Sequence, residues 1–141
     1  MPAAEKTLRM QNRIVVRYQD RRLVKGSTTD FLPTKDIFHL TSVDSATAIP
    51  LEVRVSQAKA VFFVRDLNGN RAYRERKQFD PARPPVGRRI RVVFKDGEQL
   101  IGTTQCYQPG RPGFFVIPAD PLSNNVRCFV VSSAVRTVAF I

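Results

Sequence analysis

Between Arg65 and Arg89 the chain carries Arg71, Arg74, Arg76 and Lys77 within a few residues of Tyr73, with Arg83 further along. Guanidinium groups grip phosphate oxygens through paired N–H donors, and a phenol ring offers a face on which a base can stack. These six residues are the candidate nucleic-acid contacts. Glu75, Asp80 and Asp66 are interleaved among them, which equally suits a solvated linker. Arginines four apart recur at Arg9/Arg13 and Arg17/Arg21, a spacing that suits two phosphates held together. Catalysis finds little support. His39 is the only histidine, and the recurring carboxylates Asp20/Asp96 and Asp44/Asp120 sit in turn-like stretches, where accepting backbone N–H bonds is their ordinary role. No nucleophile–base pairing, metal-ligand spacing or glycine-rich phosphate loop is present, so no catalytic residue, metal or cofactor is expected. Two cysteines, Cys106 and Cys128, do not make a disulfide framework and are expected to be small, reduced core residues.

The formal net charge is +11, and its placement decides how to read it. Segments 14–64 and 90–141 carry +2 each, whereas 65–89 alone carries +5. The connector is therefore the first place to look for an anionic partner. No apolar run approaches the roughly 20 residues needed to span a bilayer, and MPAAEKTLRMQNR lacks a signal-like apolar core, so a cytoplasmic protein without membrane contact is expected.

These residues hang on a duplicated frame. A shift of 76 pairs Ile14 with Ile90, Val16 with Val92, Tyr18 with Phe94, Asp20 with Asp96, Gly26 with Gly102, Pro33 with Pro109 and Phe38 with Phe114. After a one-residue adjustment, a shift of 77 pairs Val53, Ser56, Val61 and Phe63 with Val130, Ser133, Val138 and Phe140. Such self-similarity marks a repeat architecture. Each unit is about 50 residues, small enough that it needs a neighbour to bury its apolar surface.

Within each unit the pattern is that of short strands. Ile14, Val16 and Tyr18 alternate with Val15 and Arg17, as Ile90, Val92 and Phe94 do with Arg91, Val93 and Lys95. Asp96-Gly97 then predicts a tight hairpin, while Asp20-Arg21 predicts a different or longer turn in the first copy. Gly26 and Gly102, inside the returning strands, predict sharp bends of the kind that curl a sheet. Third strands (IFHLT, GFFVI), fourth strands (LEVRV, VRCFVV) and fifth strands (AVFFV, TVAFI) follow, with Phe31 and Tyr107 as matched aromatics expected in the core.

Five short strands per unit predict an all-β fold of two tandem five-stranded small barrels. The second copy, with Lys95-Asp96-Gly97 ending its first strand and Gly102-Thr103 following, resembles the Sm-like family of SH3-like barrels. The resemblance implies RNA as a partner, but at the family's nucleotide-binding loops this chain has Gln105-Cys106-Tyr107-Gln108-Pro109 and Val131-Ser132-Ser133-Ala134-Val135, so that site does not carry over. The four-spaced arginines are similar to the first half of the PilZ signature for cyclic dinucleotides; its second half, Asp/Asn-x-Ser-x-x-Gly, is missing. The whole arrangement is similar to uncharacterised bacterial domains. The expected organisation is an N-terminal arm or short helix (1–13), a first barrel (14–64), a basic connector (65–89) and a second barrel (90–141). The expected role is a non-enzymatic binding or adaptor module with a protein partner or self-association; the alternative is RNA binding through the connector, and a lower alternative is cyclic dinucleotide binding.

Overall fold

The computed structural model describes residues 12–42, 49–69, 72–82 and 86–141. Ten strands follow in order: β1 (Asn12–Tyr18), β2 (Leu23–Thr28), β3 (Ile37–Ser42), β4 (Leu51–Arg54), β5 (Ala58–Val64), β6 (Arg88–Phe94), β7 (Gln99–Thr104), β8 (Gly113–Pro118), β9 (Asn125–Val131) and β10 (Val135–Phe140). Single 3-10 turns at Val55–Gln57 and Ser132–Ala134 lead into β5 and β10. The described residues contain no helix long and apolar enough to cross a membrane. The expected arm lies almost wholly outside the described residues.

All pairings are antiparallel, and they run without a break in the order β10-β6-β7-β8-β9-β5-β1-β2-β3-β4. The all-β expectation holds, but the strands make one open sheet of ten, not two separately hydrogen-bonded closures. The link is the β5–β9 ladder, in which Ala60 faces Val130, Val61 faces Phe129 and Phe62 faces Cys128.

Every residue of β5 is buried, Lys59 included, and the apolar run 60–64 has both faces covered. Its side chains go alternately to two cores on opposite faces. Val61 and Phe63 join Ile14, Val16, Phe38, Leu40 and Val53, together with Phe129 and Val131 from β9. Ala60, Phe62 and Val64 join Ile90, Val92, Phe94, Phe114 and Val116, together with Cys128 and Val130. β5 and β9 are thus a wall common to both cores. Burying a side chain such as Phe62 or Phe63 is worth about 2–3 kcal/mol, so this wall concentrates stabilisation.

The two glycines do what their position predicts, for a more specific reason than bending. Gly26 lies between Ile14 and Ser42, and Gly102 between Ile90 and Pro118. A Cβ on Gly26 would stand 2.1 Å from the Thr41 carbonyl oxygen, and one on Gly102 2.1 Å from that of Ile117. The third strand crosses too closely for any side chain. The hairpin turns correct one expectation. Tyr18 N–H bonds to Arg22 O (2.9 Å) and Phe94 N–H to Glu98 O (2.9 Å), and Asp20 and Asp96 each accept the N–H two residues on. The first turn is neither longer nor different: Arg21 takes φ +75° where Gly97 takes +92°.

Candidate functional site

The connector is tied down by one carboxylate. Asp120, in the loop between β8 and β9, has a solvent-inaccessible side chain. Its Oδ2 accepts the Tyr73 hydroxyl and the Arg76 N–H (2.8 Å), and its Oδ1 accepts the Leu122 N–H (2.9 Å), with Arg76 Nη2 3.7 Å away. Burial opposes ionisation, but the Arg76 N–H, the Tyr73 hydroxyl and the Leu122 N–H outweigh it and hold this carboxyl at about 2. Bonding to Asp120 in turn pushes the Tyr73 phenol up.

Of the six candidate contacts, Tyr73, Arg76 and Lys77 therefore have partners inside the molecule. Lys77 Nζ sits 2.7 Å from Glu75, which also accepts the Ser123 hydroxyl. Arg74 is exposed. Arg71 and Arg83 lie outside the described residues, as does Asp44, the counterpart of Asp120. Of the four-spaced arginines, Arg17 and Arg21 line a cleft of about 610 Å³ between the two hairpin turns, beside Arg22, Lys59, Lys95 and Glu98. Arg13 instead donates to the Arg65 carbonyl (2.7 Å), and Arg9 lies outside the described residues.

His39 projects from β3 half-exposed, with Nδ1 2.7 Å from Asp30 Oδ2. Burial opposes ionisation of Asp30, but bonds from the His39 N–H, the His39 ring and the Thr28 hydroxyl outweigh it and hold its carboxyl below the usual range. The imidazole meets a carboxylate here, with no nucleophile in the pair. Cys128 is buried in the second core, where desolvation pushes its thiol up; Cys106 is exposed, correcting the expectation that both are core. Its strand-end loop leaves it facing outward while Tyr107 turns in. Among the described residues no three His, Cys, Asp or Glu side chains gather closely enough to hold a metal ion.

A different set of residues concentrates where the sheet joins itself. Phe31, Phe38 and Phe63 form an edge-to-face cluster, with Phe31 5.2 Å from Phe38 and 5.4 Å from Phe63. Against it lie Phe129 (5.3 Å from Phe31) and Phe115 (5.9 Å from Phe63), and the Arg127 guanidinium sits 4.3 Å above the Phe63 ring. Gly113 makes the room: a Cβ there would be 2.5 Å from the Phe129 ring. On the other face Lys59, nearly inaccessible, reaches from β5 to Asp96 (2.8 Å) and Glu98 (2.6 Å) above the Phe94 ring. Sequence reasoning named Phe31 and Tyr107 as core aromatics but missed this junction. Its signal was available at positions where matched residues differ in polarity: His39 against Phe115, Glu52 against Phe129, Arg54 against Val131.

Among the described residues the sheet ends on two edge strands, each paired on one side. β4 is four residues long, follows Pro50 and carries Glu52 and Arg54. β10 carries Phe140, 40% exposed, and leads into exposed Ile141. No curated protein and no solved structure matches the chain. The repeated glycines, the paired hairpins and the joined sheet all fall within residues 10–141, which match the model of a family of unknown function (DUF6982), and the chain belongs to that family.

Proposed function

We propose that this chain is two tandem five-stranded SH3/Sm-like barrels sharing a wall, and that it works as a non-enzymatic binding or adaptor module of a bacterial-type cytoplasm, engaging a protein partner through its sheet edges. The observation that carries this reading is that an unbroken ladder of ten strands ends in two edges, β4 and β10, with no strand on the outer side of either among the described residues. Unpaired N–H and C=O groups in a row are a template for a further strand. The tandem-barrel reading is supported by the order of each half, β5-β1-β2-β3-β4 and β10-β6-β7-β8-β9, and by one core per half. The connector favours nucleic acid less than its charge suggests, because Tyr73 and Arg76 already bond to Asp120 in the β8–β9 loop and Lys77 already pairs with Glu75.

Photo-crosslinking side chains placed at Glu52 in β4, Arg136 in β10 and Arg91 in β6, one strand in from that edge, test the edge reading in cells. The expected result is a discrete protein adduct from an edge position and none from Arg91. Silence at both edges overturns the reading. So does RNA or duplex-DNA binding that persists at physiological salt and is lost on combined Arg74→Ala and Lys77→Ala, since phosphate contacts are the salt-sensitive kind.

A further inference from the structure

Resting on the edge reading, the internal duplication identifies which edge takes a partner and what that partner looks like. The Phe31, Phe38 and Phe63 cluster has its counterpart in Tyr107, Phe114 and Phe140, with ring centroids 4.8 Å (Tyr107–Phe114) and 5.7 Å (Tyr107–Phe140) apart. The first cluster stands beside β5, which pairs with β9 and is covered by Phe115, Phe129 and Arg127. The second stands beside β10, which among the described residues pairs only with β6. The difference shows in the matched residues Phe63, 5% exposed, and Phe140, 40% exposed.

The edge itself is ready for a strand. Ile141 N–H bonds to Arg89 O (3.1 Å) on β6, so by alternation the backbone groups of Val138 and Phe140 point away from β6. A cleft of about 300 Å³ runs alongside, lined by Tyr107, Phe114, Val135 and Val138 among others.

We propose that β10 and the Tyr107/Phe114/Phe140 cluster dock an antiparallel strand from a different protein. That strand carries, on one face, an aromatic and two positions later an apolar residue, as β9 does at Phe129 and Val131; the place that Arg127 takes over the Phe63 ring is held at Phe140 by this chain's own Arg88, 3.5 Å from the ring centroid. A second copy of this chain does not supply it. Its free strand β4 matches β9 in register on the third strand, His39 facing Glu52 as Phe115 faces Phe129. It would therefore set Glu52 and Arg54 where β9 sets Phe129 and Val131, forfeiting both apolar contacts and taking a carboxylate out of water. Pro50 also stands where Arg127 does and lacks the N–H a ladder needs.

The test is fluorescence anisotropy of a labelled peptide with the sequence of residues 124–131, its cysteine replaced by serine, titrated with the full chain. Saturable binding is expected, weakened about tenfold or more when the peptide carries Glu at the Phe129 position and Arg at the Val131 position, and weakened similarly by Phe140→Glu in the protein. If Phe140→Glu unfolds the protein, the milder Phe140→Ser takes its place, because the peptide substitutions would weaken docking at β10 and exchange beside β5 alike. No binding, equal binding of the charged peptide, or binding that survives Phe140→Glu in a folded protein overturns the site, the last because the peptide would then be exchanging into the β5–β9 ladder. Dimerisation abolished by Phe140→Glu overturns the choice of partner. If the peptide fails while Glu52 still crosslinks, this inference falls and the broader edge reading stands.

Discussion

At the scale of single residues, the side chain with the most consequence is Asp120. Sequence position alone makes it a turn carboxylate, and it is one, accepting Leu122 N–H. What the sequence does not disclose is the distant demand on the same oxygens from Tyr73 and Arg76, because contacts across more than 40 positions leave no periodicity to read. The folded carboxyl titrates at about 2 against an ordinary 3.8, so the folded state binds its proton less readily than the unfolded chain does. Its stabilisation is complete above about pH 4 and is lost as pH falls toward 2. Asp120→Asn should cost roughly 2–3 kcal/mol at neutral pH, from weakened hydrogen bonds that charge had strengthened, and should flatten the acid side of the stability profile. Urea unfolding at pH 7, 4 and 2.5 measures both effects.

At the scale of elements, the strands were the most legible part, because alternation in β1 and β6 and the apolar run 60–64 of β5 reflect burial directly. The hairpin turns were legible only where glycine announced them. Arg21 occupies a left-handed backbone position that costs a non-glycine residue on the order of 1–2 kcal/mol, and nothing in its type signals this. Arg21→Gly should accordingly raise stability by about 0.5–1 kcal/mol, part of the gain being offset by glycine's freedom in the unfolded chain. Thermal unfolding of the variant against wild type checks it, and an unchanged or lower midpoint would show that Arg21 makes up its strain elsewhere. The joined sheet was not legible at all. A strand buried on both faces says that it is central without saying which strand lies beside it, so β9 could not be picked out as the neighbour of β5.

At the scale of the whole molecule, the shared wall couples the two cores. Loss of either half exposes one face of β5 or β9 and strips the remaining half of Phe129 and Val131, or of Ala60, Phe62 and Val64. Denaturant unfolding should therefore be a single transition, with coincident curves from Tyr18 or Tyr107 fluorescence and from amide circular dichroism. Two resolved steps would mean that each half holds its own core unaided.

The same wall sets a problem of timing. β5 is complete at Val64, but the strand that covers its edge does not begin until Asn125. At roughly 5–20 residues per second, the ribosome leaves the first half waiting several seconds with Phe62, Val64 and an open row of backbone donors and acceptors unprotected. During vectorial synthesis the nascent first half is thus a strand acceptor in its own right, and slowing translation between the two halves should increase its demand for chaperones.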